Sequence, residues 1–484
     1  MALRARLVAP PPLPQQIWPW HKVKSASLPV SALIGGDRRM EADMYLSSGF
    51  GIRTAIESKS EGWARFNKLA KVLMPSRLTG IVVSPEYGKP FLAATQVFDA
   101  RPFPRKYLAV ELMTGAKQCF VNDGTILVTR SGSVGHATIS HAVHRNIVIS
   151  DDLLRVSAIE EKQAGWIYAF LHTPHSRAMC QGVHYGHMIK HLEPSHLDAL
   201  PIPTVDDGTA KNFTRRIERI VARRNEGYRL TLEAEERFEK ALGPFKVRDW
   251  GEKGFVVKAS KAFLARRLRL DASVHNPAAA SILRHLAKNG QGFTTIPGAG
   301  YDVWVPGRYK RIPAPDGVIY RDSADLLEVS PDLNKRFADC RFGDQFRGRV
   351  KSGWILIACS GQVYGIIGSA ILATQALDDQ VVSNHVMRLA PKKGSVPAGY
   401  ILTAISHPTL GRPLVKALAF GSSIPEIDKS DLAGLQIVRL KTTEEIAIAE
   451  LAEASAKARA EADVLEREIA TDAAAIVDRF IAHV

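Results

Sequence analysis

Cysteine is scarce in this chain. Cys119, Cys180, Cys340 and Cys359 lie far apart with no CxxC pair, which speaks against a zinc ribbon or a disulfide framework and for a reducing, cytoplasmic setting. Long apolar runs are missing as well. No stretch approaches the roughly 20 residues of a membrane span, and the opening MALRARLVAPPPLPQQIWPW lacks the apolar centre of a secretory signal. Signatures of catalysis are equally thin. There is no GxGxxG loop, and Asn276-Pro-Ala-Ala279 is not the Asn-Pro-Pro-Tyr type of tetrad used in amino-group methylation. Glu57-Ser-Lys59 and Glu160-Glu-Lys162 match the Glu-x-Lys of Mg²⁺ nucleases, but so short a pattern recurs by chance in 484 residues. His184, His187 and His191 share a helical spacing compatible with metal ligation, yet no Cys or carboxylate completes a site. The chain is therefore expected to have no catalytic residue, metal or cofactor of its own.

Acidic residues are also in deficit. Against 49 Asp and Glu stand 64 Lys and Arg, a formal net charge of +15. An excess of that size favours a polyanionic partner, because neutralised phosphates release their counterions.

What the chain does contain is a repeat. Arg39-Met-Glu-Ala-Asp-Met-Tyr45 matches Arg269-Leu-Asp-Ala-Ser-Val-His275, and Pro75-Ser-Arg77 matches Pro306-Gly-Arg308. Gly124-Thr-Ile-Leu-Val-Thr-Arg-Ser-Gly-Ser-Val134 matches Gly353-Trp-Ile-Leu-Ile-Ala-Cys-Ser-Gly-Gln-Val363. Further on, Ser150–Val156 matches Ser383–Leu389, Ala164–Tyr168 matches Ala398–Leu402, and Tyr185–Leu192 matches Phe420–Ile427. The offset drifts only from 230 residues (Arg39 to Arg269) to 235 (Ile202 to Ile437). Matches kept in order over that length signify duplication, and the divergence between them gives one scaffold two different surfaces.

Each copy closes on a helical segment. The first, from about Lys211 to Leu242, places Phe213, Ile217, Ile220 and Phe238 at three- and four-residue spacings. The second, from about Thr443 to Ala482, does the same with Ile446, Ala449, Ala452, Ala456, Leu465, Ile469, Ile476 and Phe480. Neither can leave such a stripe bare, and pairing with each other is the simplest remedy. Before each helix, Thr125–Thr129 and Trp354–Ala358 read as buried strands ending in Ser-Gly turns, and Ala164–Leu171 and Ala398–Ile405 as short helices.

This order resembles the specificity subunit of Type I restriction–modification systems. The Gly124–Val134 and Gly353–Val363 blocks are similar to that family's recognition-domain strand and turn, and Gly186–Ile202 and Gly421–Ile437 to the exit into its spacer helices. The second copy departs at Gly434-Leu-Gln-Ile-Val, where the first keeps Leu200-Pro-Ile-Pro203. The resemblance implies an α+β fold of two tandem mixed α/β target-recognition domains whose long helices pair as an antiparallel coiled coil. The expected parts are an extended arm (1–27), domain one (28–206), spacer one (207–244), domain two (245–440) and spacer two (441–484). It implies a non-enzymatic DNA-binding role on a bipartite duplex target. It also implies two docked DNA methyltransferase subunits carrying S-adenosylmethionine, and a restriction motor subunit or other defence proteins that can join. The competing readings are an adaptor whose repeats bind protein and, last, a DNA-modifying enzyme.

Direct readout needs side chains that reach base edges, and phosphate contacts need exposed cations. In the first copy the candidates are Arg77, Lys106, Lys117, Arg130, Ser133 and His136, with His184, His187 and Lys190 further on. In the second they are Arg308, Tyr309, Lys310 and Arg311, then Arg347, Arg349, Gln362, Tyr364 and Ser422. Ser131-Gly132 and Ser360-Gly361, identical in both copies, read as scaffold turns.

Overall fold

A computed structural model describes residues 28, 30, 42–183, 191–246, 254–260, 269–331, 333, 335–339 and 348–482. The expected N-terminal arm lies outside them, as do His184, His187, Lys190 and Arg347.

The first unit contains helix α1 (Ser48–Glu57), strands β1 (Trp63–Arg65), β2 (Ala70–Leu73), β3 (Val82–Val83), β4 (Lys89–Leu92), β5 (Lys106–Leu108), β6 (Ile126–Thr129), β7 (Ala137–Ile139), β8 (Val148–Ile149) and β9 (Leu153–Ala158), helix α2 (Ala164–Leu171) and strand β10 (Pro201–Pro203). It runs into the 36-residue helix α3 (Asp207–Leu242). The second unit contains α4 (Pro277–Asn289), β11 (Phe293–Thr294), β12 (Tyr301–Trp304), β13 (Pro313–Arg321), β14 (Arg336–Phe337), β15 (Ile355–Ala358), β16 (Ala370–Leu372), β17 (Val381–Val382), β18 (Val386–Pro391), α5 (Ala398–Ser406) and β19 (Ile437–Val438). It ends in the 41-residue helix α6 (Thr442–Ala482).

The repeat read in the sequence is a repeat of topology. A four-stranded sheet of order β2-β9-β6-β7 in the first unit answers β12-β18-β15-β16 in the second. β1 pairs with β10 as β11 pairs with β19. The parallel pair β4–β8 answers β13–β17. The units differ around that parallel pair, where the first builds four strands and the second three.

α3 and α6 pack along each other, and both feed both cores. Phe213, Ile217 and Ile220 near the start of α3 join Ala462, Ile469, Ala473 and Val477 near the end of α6 in the first unit's core. Ala234, Phe238 and Leu242 join Ile448, Ala449 and Ala452 in the second. The helices therefore run antiparallel, with one unit at each end of the pair. At about 1.5 Å per residue α3 spans about 54 Å. Asp206 caps α3, accepting the Thr209 N–H at 3.0 Å, so the helix starts earlier than the expected Lys211. The seam of α6 differs from the expected apolar stripe. Ile446 is 43% exposed, while Ser455 and Glu466 are buried on the seam with Ile448, Ala452 and Ala462. Small side chains let the backbones come close, and polar partners on α3 satisfy the two polar ones.

Midway along the coil, Arg224 of α3 donates to Glu466 of α6 at 2.5 Å, with the two side chains 1% and 4% exposed. Glu466 also accepts from Tyr168 of α2 and from the Ser330 hydroxyl of the second unit. Burial pushes its carboxyl up, but Arg224 and the neighbouring donors outweigh this and hold it below the usual carboxylate range. One carboxylate thus ties both units to both helices.

Candidate nucleic-acid interface

Four contacts recur in both units and define the shared scaffold. Gly165 of α2 lies so close to α3 that a Cβ would stand 2.0 Å from Thr214 N; Gly399 of α5 lies against α6, 2.3 Å from Ala449 O. Each unit is therefore seated on its own spacer helix through a glycine. The Trp166 indole N–H donates to Pro203 O at 2.9 Å, and the Tyr400 hydroxyl donates to the equivalent Val438 O at 2.6 Å. Arg155 and Arg388, both buried, donate to backbone carbonyls of the preceding turn, Ser150 O and Ile149 O at 2.9 Å in one copy and Ser383 O at 2.8 Å and Val382 O at 2.5 Å in the other. Ser131 and Ser360 form isolated antiparallel bridges with His191 and Glu426. The glycines after them have φ of 72° and 132°, a conformation that side-chain-bearing residues avoid, which explains why Ser-Gly is identical in both copies.

Outside this scaffold, one loop occupies the same place in each unit. Between β2 and β3, Pro75 is buried and Arg77 exposed; between β12 and β13, Pro306 is buried and Arg308 exposed. In the first unit Ser76 lies against Gly115, since a Cβ there would meet it at 3.5 Å. That brings Arg77 beside the segment carrying exposed Lys117, with exposed Lys106 on the neighbouring β5. In the second unit Arg308, Lys310 and Arg311 are exposed in a row. Tyr309 anchors the row, its hydroxyl donating to Val382 O at 3.3 Å. Burial raises that phenol to about 12, so it stays a neutral donor. Arg311 donates to the Tyr320 hydroxyl at 3.1 Å with its guanidinium over the ring.

The turns after β6 and β15 fare differently. Gln362 and Tyr364 are exposed, and the Gln362 amide donates to Ser423 O at 2.8 Å, bringing Gln362 next to exposed Ser422. Among the first unit's candidates there, Ser133 is exposed while Arg130 and His136 are half-buried. Arg130 is engaged by Glu193 at 2.5 Å and Asp152 at 3.5 Å. His136 stacks on Phe98 and bonds Ser330 O at 3.0 Å. Arg349 is buried, with Asp379 O accepting at 2.5 Å and Asp339 alongside. These three side chains are occupied within the protein and do not join the exposed basic surface. The identical placement of Arg155 and Arg388 in matched blocks was the available sign that an arginine can be scaffold here.

Among the described residues no His, Cys, Asp and Glu cluster could hold a metal, and no helix is long and apolar enough to cross a membrane. The architecture is thus that of a two-headed module, with duplicated α+β units on an antiparallel helix pair and an exposed basic loop at the same place in each. No protein-family model and no curated protein matches the sequence. Solved structures match over most of the chain at low identity and low TM-score. A Type I restriction–modification S subunit from M. genitalium is 12% identical, covering 88% of this chain and 96% of its own, at a TM-score of 0.35. The HsdS subunit from Thermoanaerobacter tengcongensis is 13% identical, covering 88% and 97%, at 0.25. A chain from a type I R-M system complex is 12% identical, covering 87% and 97%, at 0.27.

Proposed function

We propose that the chain is the DNA sequence-specificity subunit of a Type I-like restriction–modification or related defence complex. The observation that carries this is the duplication itself. Two copies of one scaffold, fixed at opposite ends of a helix pair, present an exposed basic loop from the same position, around Arg77 and around Arg308. A duplex target with two half-sites has the matching pseudo-symmetry, and a stiff connector turns half-site spacing into a geometric constant. Arg77, Lys106 and Lys117 in one unit, and Arg308, Lys310 and Arg311 in the other, supply phosphate contacts. Gln362, Ser422 and Ser133 reach for bases. The chemistry resides in partners: two DNA methyltransferase subunits carrying S-adenosylmethionine, docked on this chain. The test is a methylome. A DNA methyltransferase subunit that binds this chain is expressed in a methylation-free host with and without it. A bipartite modified motif is expected only when the chain is present. An active methyltransferase, stably bound to the chain but showing no chain-dependent motif, would overturn the proposal.

A further inference from the structure

Phe98–Ala100 and Leu327–Val329 hold the same position in the two copies, and they pair with each other. The Ala100 N–H donates to Leu327 O at 2.8 Å, and the Val329 N–H to Phe98 O at 2.7 Å. Asp99 stands opposite Glu328 in an antiparallel bridge. Exchanging the copies maps this pairing onto itself, so the pseudo-two-fold axis passes between Asp99 and Glu328. A self-complementary patch of this kind is how two copies of one surface join. Contacts flank it on both sides. The Arg412 guanidinium lies 3.8 Å over the Phe103 ring, and the Arg105 guanidinium 5.4 Å over Tyr364. Ser330, just past the bridge, adopts the left-handed φ of 53° with its carbonyl held by His136 and its hydroxyl by Glu466.

We propose that this bridge is a clasp joining the two units head to head, and that it fixes, together with the coil, the separation of the half-sites they read. The spacing role rests on the DNA-reading function proposed above. The coil holds the units at its ends and, through Glu466, at its middle. With the clasp closed the units are also bonded directly to each other, and a change in helix length strains the bridge instead of simply sliding the half-sites.

The clasp is also proton-linked. In a non-hydrogen-bonded antiparallel pair the two side chains stand side by side on one face, where two carboxylates repel. Arg105 and Arg412 face Asp99; Asp322, Asp325 and Lys335 face Glu328; His136 borders both strands. Burial pushes Asp99 up to about 7 against the pull of Arg105 and Arg412. Burial pushes Glu328 up to about 7 as well, with Asp325, Asp99 and Asp322 adding to it. The closed clasp therefore binds more protons than an open one with ordinary carboxyls near about 4. Closure is favoured at low pH and loses ground as pH rises from about 4 to about 7.

The experiment uses the full chain with Asp99→Cys and Glu328→Cys, oxidised mildly and read by mass spectrometry of the joined peptide. Thr231→Cys with Ser455→Cys is the control, because those hydroxyls lie 2.8 Å apart across the coil. Both pairs are expected to link. A linked control with no 99–328 product overturns the clasp. Duplexes carrying the two half-sites at varied spacings then test its role. Wild type should select one spacing, whereas Ala100→Pro, which removes a bridging N–H, should accept neighbouring spacings within about tenfold in affinity. An unchanged single spacing in Ala100→Pro overturns the spacing role. Absence of DNA selection by wild type, with the 99–328 link intact, overturns the DNA-reading function and the spacing role with it, and leaves the clasp standing. Amide exchange at Ala100 and Val329, compared between wild type and Asp99→Asn, should agree at about pH 4 and differ by at least about tenfold at about pH 8, wild type being the less protected. Equal protection at both pH values overturns the proton linkage.

Discussion

The two units share backbone bonds far more faithfully than they share residues. Trp166 and Tyr400 are different side chains donating to the same carbonyl position, Pro203 O and Val438 O. Gly165 and Gly399 seat their helices on α3 and α6 alike. Yet the Glu466 hub has no twin. Glu466 corresponds along the helices to Thr231, a small hydroxyl that bonds Gly227 O at 3.0 Å and Ser455 Oγ at 2.8 Å. The coil is therefore symmetric in shape but asymmetric in what fastens it: the buried ion pair at its middle has no counterpart at the matching position. Duplication preserved what the scaffold needs and freed the rest to differ.

The largest expected effect tests that asymmetry. Glu466→Ala strands the buried Arg224 and Tyr168 and should cost about 3–5 kcal/mol, while Thr231→Ala should cost about 1 kcal/mol. Urea unfolding of both variants measures the gap, and equal losses would mean the hub is no special fastener. Next in size, Gly165→Ala and Gly399→Ala each drive a Cβ into a neighbouring backbone and should cost about 1–3 kcal/mol apiece. Here the prediction is equality; a marked difference would show that one unit can lift off its helix more cheaply. Smallest in the free chain, and visible only with DNA, are the loop variants. Arg77→Ala and Arg308→Ala should leave thermal stability unchanged and each weaken DNA binding about equally for all sequences, with a salt slope shallower by about 1. If only one of them acts, the loops are not equivalent despite their matched positions. Arg130→Ala serves as the contrast: it should lower stability by removing the cation paired with Glu193 and Asp152, since its guanidinium is already engaged.

Much of this was legible in the chain itself. The ordered matches fixed the duplication, because hydrogen-bonded strands and tight turns constrain sequence locally: Ile126–Thr129 and Ile355–Ala358 fall within the expected strands, and α2 has the expected bounds. Three- and four-residue periodicity foretold the paired helices for the same reason. Site residues were harder to read. Arg130, His136 and Arg349 look in sequence like any other surface cation or donor, and only the arrival of Glu193, Ser330 and Asp379 from elsewhere in the chain shows them occupied. Arg77 and Arg308 are indistinguishable from these until burial leaves them exposed. Glu466 lies in a helix crowded with acids, and nothing local marks it out from Glu468 on the solvent side. The sequence by itself determined that there are two copies, the elements of each and the helices between them, since those depend on neighbours in the chain. The tertiary structure alone decided which charges are spent inside, which face outward, and that Asp99 meets Glu328 on the axis, because such pairings join residues hundreds of positions apart, where local patterning carries no information.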